Sequence, residues 1–224
     1  MLTLYHGSEF IVDIPSWGKG KLSNDYGRGF YCTEIRDLAG EWACGANKDG
    51  FINQYQLDRK GLKILYLNRE PYTILHWIAL LTRYRGYWQQ RSLAEEAKTY
   101  LQEHFLPDID GYDVIVGYRA DDSYFSFAQD FIMGTISLRQ LSEAMHLGRL
   151  GEQIVLKSPT AYAHLHFITA EAAYAEEFYL KRVQRDREAR RQYRQMKANR
   201  SAMHDVFILD IMREEMKADD LRLR

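Results

Sequence analysis

Three separated stretches carry residue types that could meet at one reaction site. The first is Leu4-Tyr5-His6-Gly7-Ser8. The second runs from Asp25 to Glu34 as Asp25-Tyr26-Gly27-Arg28-Gly29-Phe30-Tyr31-Cys32-Thr33-Glu34. The third is Glu152-Gln153-Ile154-Val155-Leu156. A strand-end histidine followed by glycine lets a ligand approach the backbone closely, and that backbone offers a donor and an acceptor. Tyr31 supplies a flat aromatic face suited to a cationic ring, and Arg28 a charge for an anion. A carboxylate from the third stretch would stabilise positive charge developing in a reaction more strongly than an amide would.

The elements that must position these groups follow from periodicity. Leu2, Leu4 and His6 alternate with Thr3 and Tyr5, a strand pattern that Gly7 and Ser8 end. Residues 9–27 hold Pro15 and repeated glycines and read as a loop. Phe30 to Thr33 is a short strand, and Thr33 is expected to cap a helix from Glu34 to about Lys48. Further strands are expected at Phe51 to Leu57, Leu62 to Leu67, Tyr112 to Tyr118, Glu152 to Lys157 and Leu165 to Ile168. Helices are expected from Pro71 to about Tyr84, Tyr87 to Phe105, Phe125 to Met133 and Leu138 to Leu147. Trp42 and Trp77, on helical stripes, read as core residues.

Beyond Ala170 strand signals vanish and charge rises. Residues 181–200 carry nine Lys or Arg against Asp186 and Glu188, a net +7 that leaves −8 for the rest of a chain of net −1. The plain reading of this run is a solvated helix paired with the acidic remainder or a partner; nucleic-acid phosphates are the other. Val206, Ile208, Leu209, Ile211, Met212 and Met216 mark one more amphipathic helix. The expected fold is α+β: five to seven short strands with helices inserted between them, then a helical tail. The expected division is a domain over residues 1–169 and a charged helical tail over 170–224.

Taken in order, the three stretches resemble the His-Tyr-Glu class of ADP-ribosyltransferases, the poly(ADP-ribose) polymerase and diphtheria-toxin type. That class shows a Y-H-G-[ST] strand, an F-G-x-G-[IF]-Y segment running into a helix, and a late strand bearing Glu before apolar residues. The chain is most similar to a bacterial branch suspected to supply toxin halves of toxin–antitoxin pairs. The branch has Y-D-[IV]-[IV]-x-G, matched by Tyr112-Asp113-Val114-Ile115-Val116-Gly117, then A-D-D, matched by Ala120-Asp121-Asp122. It also has Gln before the late apolar residues, as Gln153 is here. The resemblance spans roughly residues 2 to 168.

It implies an ADP-ribosyltransferase-like split β-sheet core that binds NAD as substrate, with no metal. His6, Gly7, Ser8, Arg28, Gly29, Phe30 and Tyr31 would bind NAD. His6 would donate to the adenosine ribose, Tyr31 would stack on nicotinamide, and Arg28 would face the pyrophosphate. Gln153 or Glu152 would act at the reacting ribose, whose charge develops as in glycoside hydrolysis. Asp121 and Asp122, which follow an expected strand end, could supply a catalytic carboxylate or bind the acceptor, or could cap the helix that begins near Tyr124. Gln153 and Glu152 exclude each other, because neighbours on a strand face opposite ways; the branch pattern favours Gln153. An amide there predicts transfer of a single ADP-ribose to a macromolecular acceptor, protein or nucleic acid, rather than chain growth. An antitoxin protein would dock on the helical tail. The alternative is a catalytically degenerate module that binds NAD, ADP-ribose or nucleic acid.

Other features argue for little chemistry. Cys32 and Cys44 form no CxxC motif and suit a reducing, cytoplasmic compartment. The N-terminus lacks a signal-peptide pattern, and no apolar stretch approaches ~18 residues, so no membrane span is expected. His164 and His166 could share a strand face, but no third or fourth metal ligand accompanies them. A nuclease built on these two and Asp121 is a distant rival.

Overall fold

The computed structural model describes residues 1–86, 88, 92–147, 151–198 and 205–223. Strand β1 (Leu2–Ser8) pairs along its whole length with β3 (Gly50–Leu57), from Leu2 opposite Leu57 to Ser8 opposite Phe51. On its other edge β3 pairs with β7 (Leu165–Ala173), completing an antiparallel sheet of order β1-β3-β7. The second sheet has the order β2-β6-β5-β4, from Phe30–Cys32, Gln153–Leu156, Val114–Gly117 and Ile64–Tyr66. Its β4–β5 pair is parallel and the others are antiparallel.

The apolar run of β5 has its cause in the layering. Val114, Val116, Ile154 and Leu156 face the first sheet and pack with Leu4, Tyr55 and Leu57. Ile115, Val155 and Leu65 face a helical layer built around Trp77, Tyr124 and Phe127. A strand covered on both faces loses the alternating pattern, and each Val, Leu or Ile buried this way contributes about 1.5–3 kcal/mol. The helical layer comprises α2 (Ile74–Tyr84), α3 (Ser92–His104), α4 (Asp122–Ile132), α5 (Leu138–Met145) and α8 (Ile208–Arg213). Helix α1 (Arg36–Ala43) and the long α7 (Ala175–Ala198) cover the first sheet at Ile52 and Ala173. The short α6 (Pro159–Ala163) links β6 to β7. Among the described residues no helix is long and apolar enough to cross a membrane.

Several boundaries differ from expectation. Helix α1 begins at Arg36 and ends at Ala43, because Thr33 is held in an extended pairing with Tyr5 and Cys44 returns to extended backbone. Helix α2 begins at Ile74; extended Thr73 precedes it, and its N–H donates to the His76 ring at 2.9 Å. Tyr87 and residues 89–91, expected to start the next helix, lie outside the described residues, as does Arg200.

The largest difference concerns the tail. Strand β7 runs through the expected division at residue 170 to Ala173. Beyond it α7 is fastened to the body: Phe178 lies against Gly40, and Tyr193 stacks on Phe127 with 3.9 Å between ring centroids. Tyr193 also donates to Asp130 at 2.6 Å. Ile208, Ile211 and Met216, apolar positions of the last amphipathic helix, are buried in the main core. An amphipathic stripe shows that a face must be covered, not whether the cover comes from this chain or another.

Candidate functional site

The two sheets join where Tyr5 and Thr33 exchange both backbone hydrogen bonds, at 2.8 and 2.9 Å. This seam sets the end of β1 against β2. His6 lies beside Phe30, with ring centroids 4.3 Å apart, and its Nδ1–H donates to the Tyr31 carbonyl at 2.7 Å. A carbonyl can only accept, so the proton sits on Nδ1 and Nε2 keeps its lone pair. Burial lowers the imidazole pKa, which keeps the ring neutral at pH 7. His6 therefore presents an acceptor, where the sequence reading had it donate. The Tyr31 hydroxyl donates to the Gly27 carbonyl at 2.5 Å and accepts from the Tyr26 N–H at 3.1 Å. Burial pushes its pKa up, so it remains a phenol.

Residues 9–29 fold over this seam and are anchored at both ends. At the start, Asn53 accepts from the Val12 N–H at 2.8 Å and donates to the His6 carbonyl at 3.1 Å and to Ser8 Oγ at 2.9 Å. At the end, Lys157 Nζ donates to the carbonyls of Tyr26 and Arg28 at 2.7 and 2.6 Å. Buried Asp25 accepts from Arg85 at 2.7 Å and from the Ala120 N–H at 2.9 Å, tying the loop to the β5–α4 connection. The glycines have packing causes. A Cβ on Gly7 would lie 1.8 Å from the Ala39 carbonyl oxygen, and one on Gly29 2.6 Å from Val155 Cγ1. The close approach that Gly7 permits is thus made by α1.

Between the loop, the seam and α7 lies a cleft of about 1140 Å³. Its lining draws on all three stretches, with His6, Gly7, Ser8, Gly29, Phe30, Tyr31, Asp121 and Gln153 present together. Gln153 is on the same strand face as Val155, which turns it toward Tyr31 and away from the first sheet. Glu152 is outside the lining and pairs with Asn68. Arg28 is exposed and also outside it; among the described residues its carbonyl alone is engaged, by Lys157. In the sheet Gln153 sits opposite Gly117, and Glu152 precedes the strand.

The floor of the cleft holds residues that the sequence reading missed. Arg119 lies 4.2 Å over the ring of Trp42, and both line the cleft. Burial pulls the Arg119 pKa down to about 10, against the opposing effect of Asp121 and other carboxylates, so it remains a cation at neutral pH. Arg185 from α7 donates to Glu41 at 2.9 and 2.6 Å and to Asp121 Oδ2 at 3.1 Å. Among the described residues, eight buried side-chain polar atoms lack a partner, and four belong to this lining: Trp42 Nε1, Arg119 Nη1, Asp121 Oδ1 and Gln153 Oε1. Buried polar groups are nearly always paired, and leaving one unpaired costs about 1–3 kcal/mol. Two donors and two acceptors clustered this way match a ligand that both gives and accepts hydrogen bonds, as a sugar diol does. Trp42, expected in the core, is half-buried here. No sequence signal singled out Arg119 or Arg85, whereas the α7 arginines were visible only as charge.

A family model described as "Protein of unknown function (DUF3990)" matches residues 2–167. The chain belongs to this family. No curated protein and no solved structure matches it. The family match ends inside β7, so it takes in the seam, the loop, Asp121 and Gln153, while the α7 wall lies beyond it. His164 and His166 do not line the cleft, and His164 Nδ1 contacts the Asp58 carbonyl at 3.0 Å. Among the described residues no three His, Cys, Asp or Glu are grouped to hold a metal. Both cysteines are free and buried.

Proposed function

We propose that the protein transfers a single ADP-ribose from NAD to a macromolecular acceptor, with the reacting dinucleotide held in this cleft. The observation that carries the reading is the meeting of His6, Tyr31 and Gln153, from three distant stretches, in one lining with four unpartnered polar atoms. The volume is ample, since pockets of roughly 300–1,000 Å³ bury most of a drug-sized ligand. His6 Nε2 would accept from a ribose hydroxyl of the adenosine half. Tyr31 would lie against nicotinamide. Gln153 Oε1 would accept from the 2′-hydroxyl of the reacting ribose, and Arg119 Nη1 would donate to an oxygen of the same sugar.

In the proposed reaction the C1′–N bond breaks and nicotinamide leaves with the electron pair. Positive charge then develops on the ribose. Gln153 is neutral. Of the lining carboxylates, Glu9, Asp25 and Asp186 are engaged by Lys48, Arg85 and Arg190, so Asp121, with Oδ1 unpartnered, would offset that charge and take the proton of the acceptor as its nucleophilic atom bonds to C1′. Arg185 would fix its orientation through Oδ2, leaving Oδ1 toward the cleft.

The test is release of nicotinamide from labelled NAD by the full-length protein. His6→Ala and Tyr31→Ala should weaken NAD binding, whereas Gln153→Ala and Asp121→Asn should lower turnover with less effect on binding. Neither binding nor release, from protein with an intact far-UV spectrum, would end the proposal. The amide at Gln153 favours one second reading, a catalytically silent NAD or ADP-ribose binding module. Binding without release would identify it.

A further inference from the structure

Helix α7 carries eight Lys or Arg between residues 181 and 198, and most already have carboxylate partners. Lys181 pairs with Asp37 and Glu177, and Arg185 with Glu41 and Asp121. Arg190 pairs with Asp186, Arg191 with Glu188, and Lys197 with Asp130. Arg182, Arg187 and Arg194 have no ion-pair partner among the described residues. Arg182 and Arg187 line the cleft on the α7 side, while Lys19 and Lys21, likewise without ion-pair partners there, line it on the loop side. Exposed Arg194 continues the stripe, since Arg187, Arg190 and Arg194 follow at three- and four-residue spacing. The chain as a whole is near neutral, so this excess is local.

A second feature follows in the chain: Ser16 lines the cleft, and Trp17, the next residue, stands outside the lining. Trp17 is 60% exposed, yet its ring is fixed, because Nε1–H donates to the Lys157 carbonyl at 3.1 Å. An exposed, pre-positioned indole two residues before Lys19 is a stacking platform. Cations on both banks of a groove with an aromatic face at its edge are what an unpaired nucleic-acid strand requires. A duplex keeps its bases stacked and offers the indole nothing. A protein surface carries both charge signs and does not match a mouth whose unpaired charges are all positive.

We propose that the mouth of the cleft binds single-stranded nucleic acid, with phosphates on Lys19, Lys21, Arg182 and Arg187 and a base on Trp17. As a statement about the acceptor, this rests on the transfer reading above; as a binding surface, it does not.

The test has two arms. In the first, labelled oligothymidylate and oligouridylate are titrated with the full chain, without NAD, between about 50 and 200 mM salt. Four phosphate contacts give a slope of log affinity on log salt near −3, at about −0.7 per contact. Lys19→Gln with Lys21→Gln should reduce the slope by about 1.4, as should Arg182→Gln with Arg187→Gln. Trp17→Ala should cost about tenfold in affinity and leave the slope unchanged. Lys60→Gln, which removes a charge outside the cleft, should change neither. A flat salt response, or losses equal to those of Lys60→Gln, overturns the surface. In the second arm, labelled NAD is added. Label on an oligonucleotide supports the acceptor assignment, and the oligonucleotide that takes it distinguishes deoxyribose from ribose. Label found on protein while the oligonucleotide stays unmodified overturns it. Nicotinamide release without oligonucleotide binding overturns the surface and leaves the transfer reading standing. Salt-dependent binding without release supports the surface and sinks the transfer reading.

Discussion

Replacing Arg185 by alanine asks whether α7 is an integral wall of the fold. The Arg185 side chain is 13% exposed and that of Glu41 6%. Two guanidinium nitrogens donate to Glu41 Oε2, and a third reaches Asp121. Truncation leaves Glu41 as a buried carboxylate with no ion-pair partner among the described residues, and Arg119 acts on it only as a nearby charge. Breaking a buried pair from one side costs about 3–5 kcal/mol, whereas an exposed pair contributes about 1 kcal/mol or less. The burial of both partners selects the larger figure. At roughly 2–4 °C per kcal/mol for a domain of this size, the melting temperature should fall by about 6–20 °C. Arg185→Met combined with Glu41→Leu should recover most of the loss, because both desolvated charges are removed together. Calorimetric melts of the wild type, the two single variants and the double variant close the cycle. A loss below about 1 kcal/mol for Arg185→Ala would mean a solvated pair and a separable tail, refuting the reasoning.

The remaining predictions address the seam, the loop and the chemistry. The neutral form of His6 is favoured because burial lowers its pKa from 6.5. Its contribution to stability is therefore full above pH 6.5 and is lost as pH falls from there through the folded value. NAD affinity by titration calorimetry should be flat from about pH 8 to 7 and fall in the acid range; a rise on acidification would contradict an acceptor at Nε2. Gly7→Ala places a Cβ 1.8 Å from the Ala39 carbonyl oxygen, so α1 must shift. The cost should be at least about 1–3 kcal/mol in a thermal melt, and an unchanged midpoint would refute the contact. Lys157→Met removes two charged hydrogen bonds from the loop, worth about 1.5–3 kcal/mol each. Trypsin should then cut faster at Lys19 and Lys21, and unaltered digestion would show that the loop is held elsewhere. Gln153→Glu adds a carboxylate to the cleft and should raise nicotinamide release by on the order of tenfold; lowered release would place the amide's role elsewhere.

Much of the candidate cleft's lining was readable because short-range patterns fixed it. A strand ending in His6-Gly7, a glycine-bracketed turn into Phe30-Tyr31 and an apolar strand after Gln153 are short-range patterns, and each appears near its expected place. Arg28 shows where such reading stops. An arginine in a promising motif has a long, flexible side chain, and here the backbone turns it to solvent while Lys157 holds its carbonyl. Arg119 and Trp42 show the converse. Their association is a contact between residues far apart in the chain, so no window of sequence contains it.

By itself the sequence determined the α+β composition and the place of most strands and helices, because backbone periodicity is a local property; it missed α6 and set the ends of α1 and β7 five residues away. Tertiary structure alone decided that Gln153 rather than Glu152 turns into the cleft. It also decided that the charged α7 forms a wall of the site, and that the last amphipathic helix is covered by the chain's own core. A strand buried on both faces carries no alternation from which to read orientation, and a charge or an apolar stripe has no address until the chain closes around it.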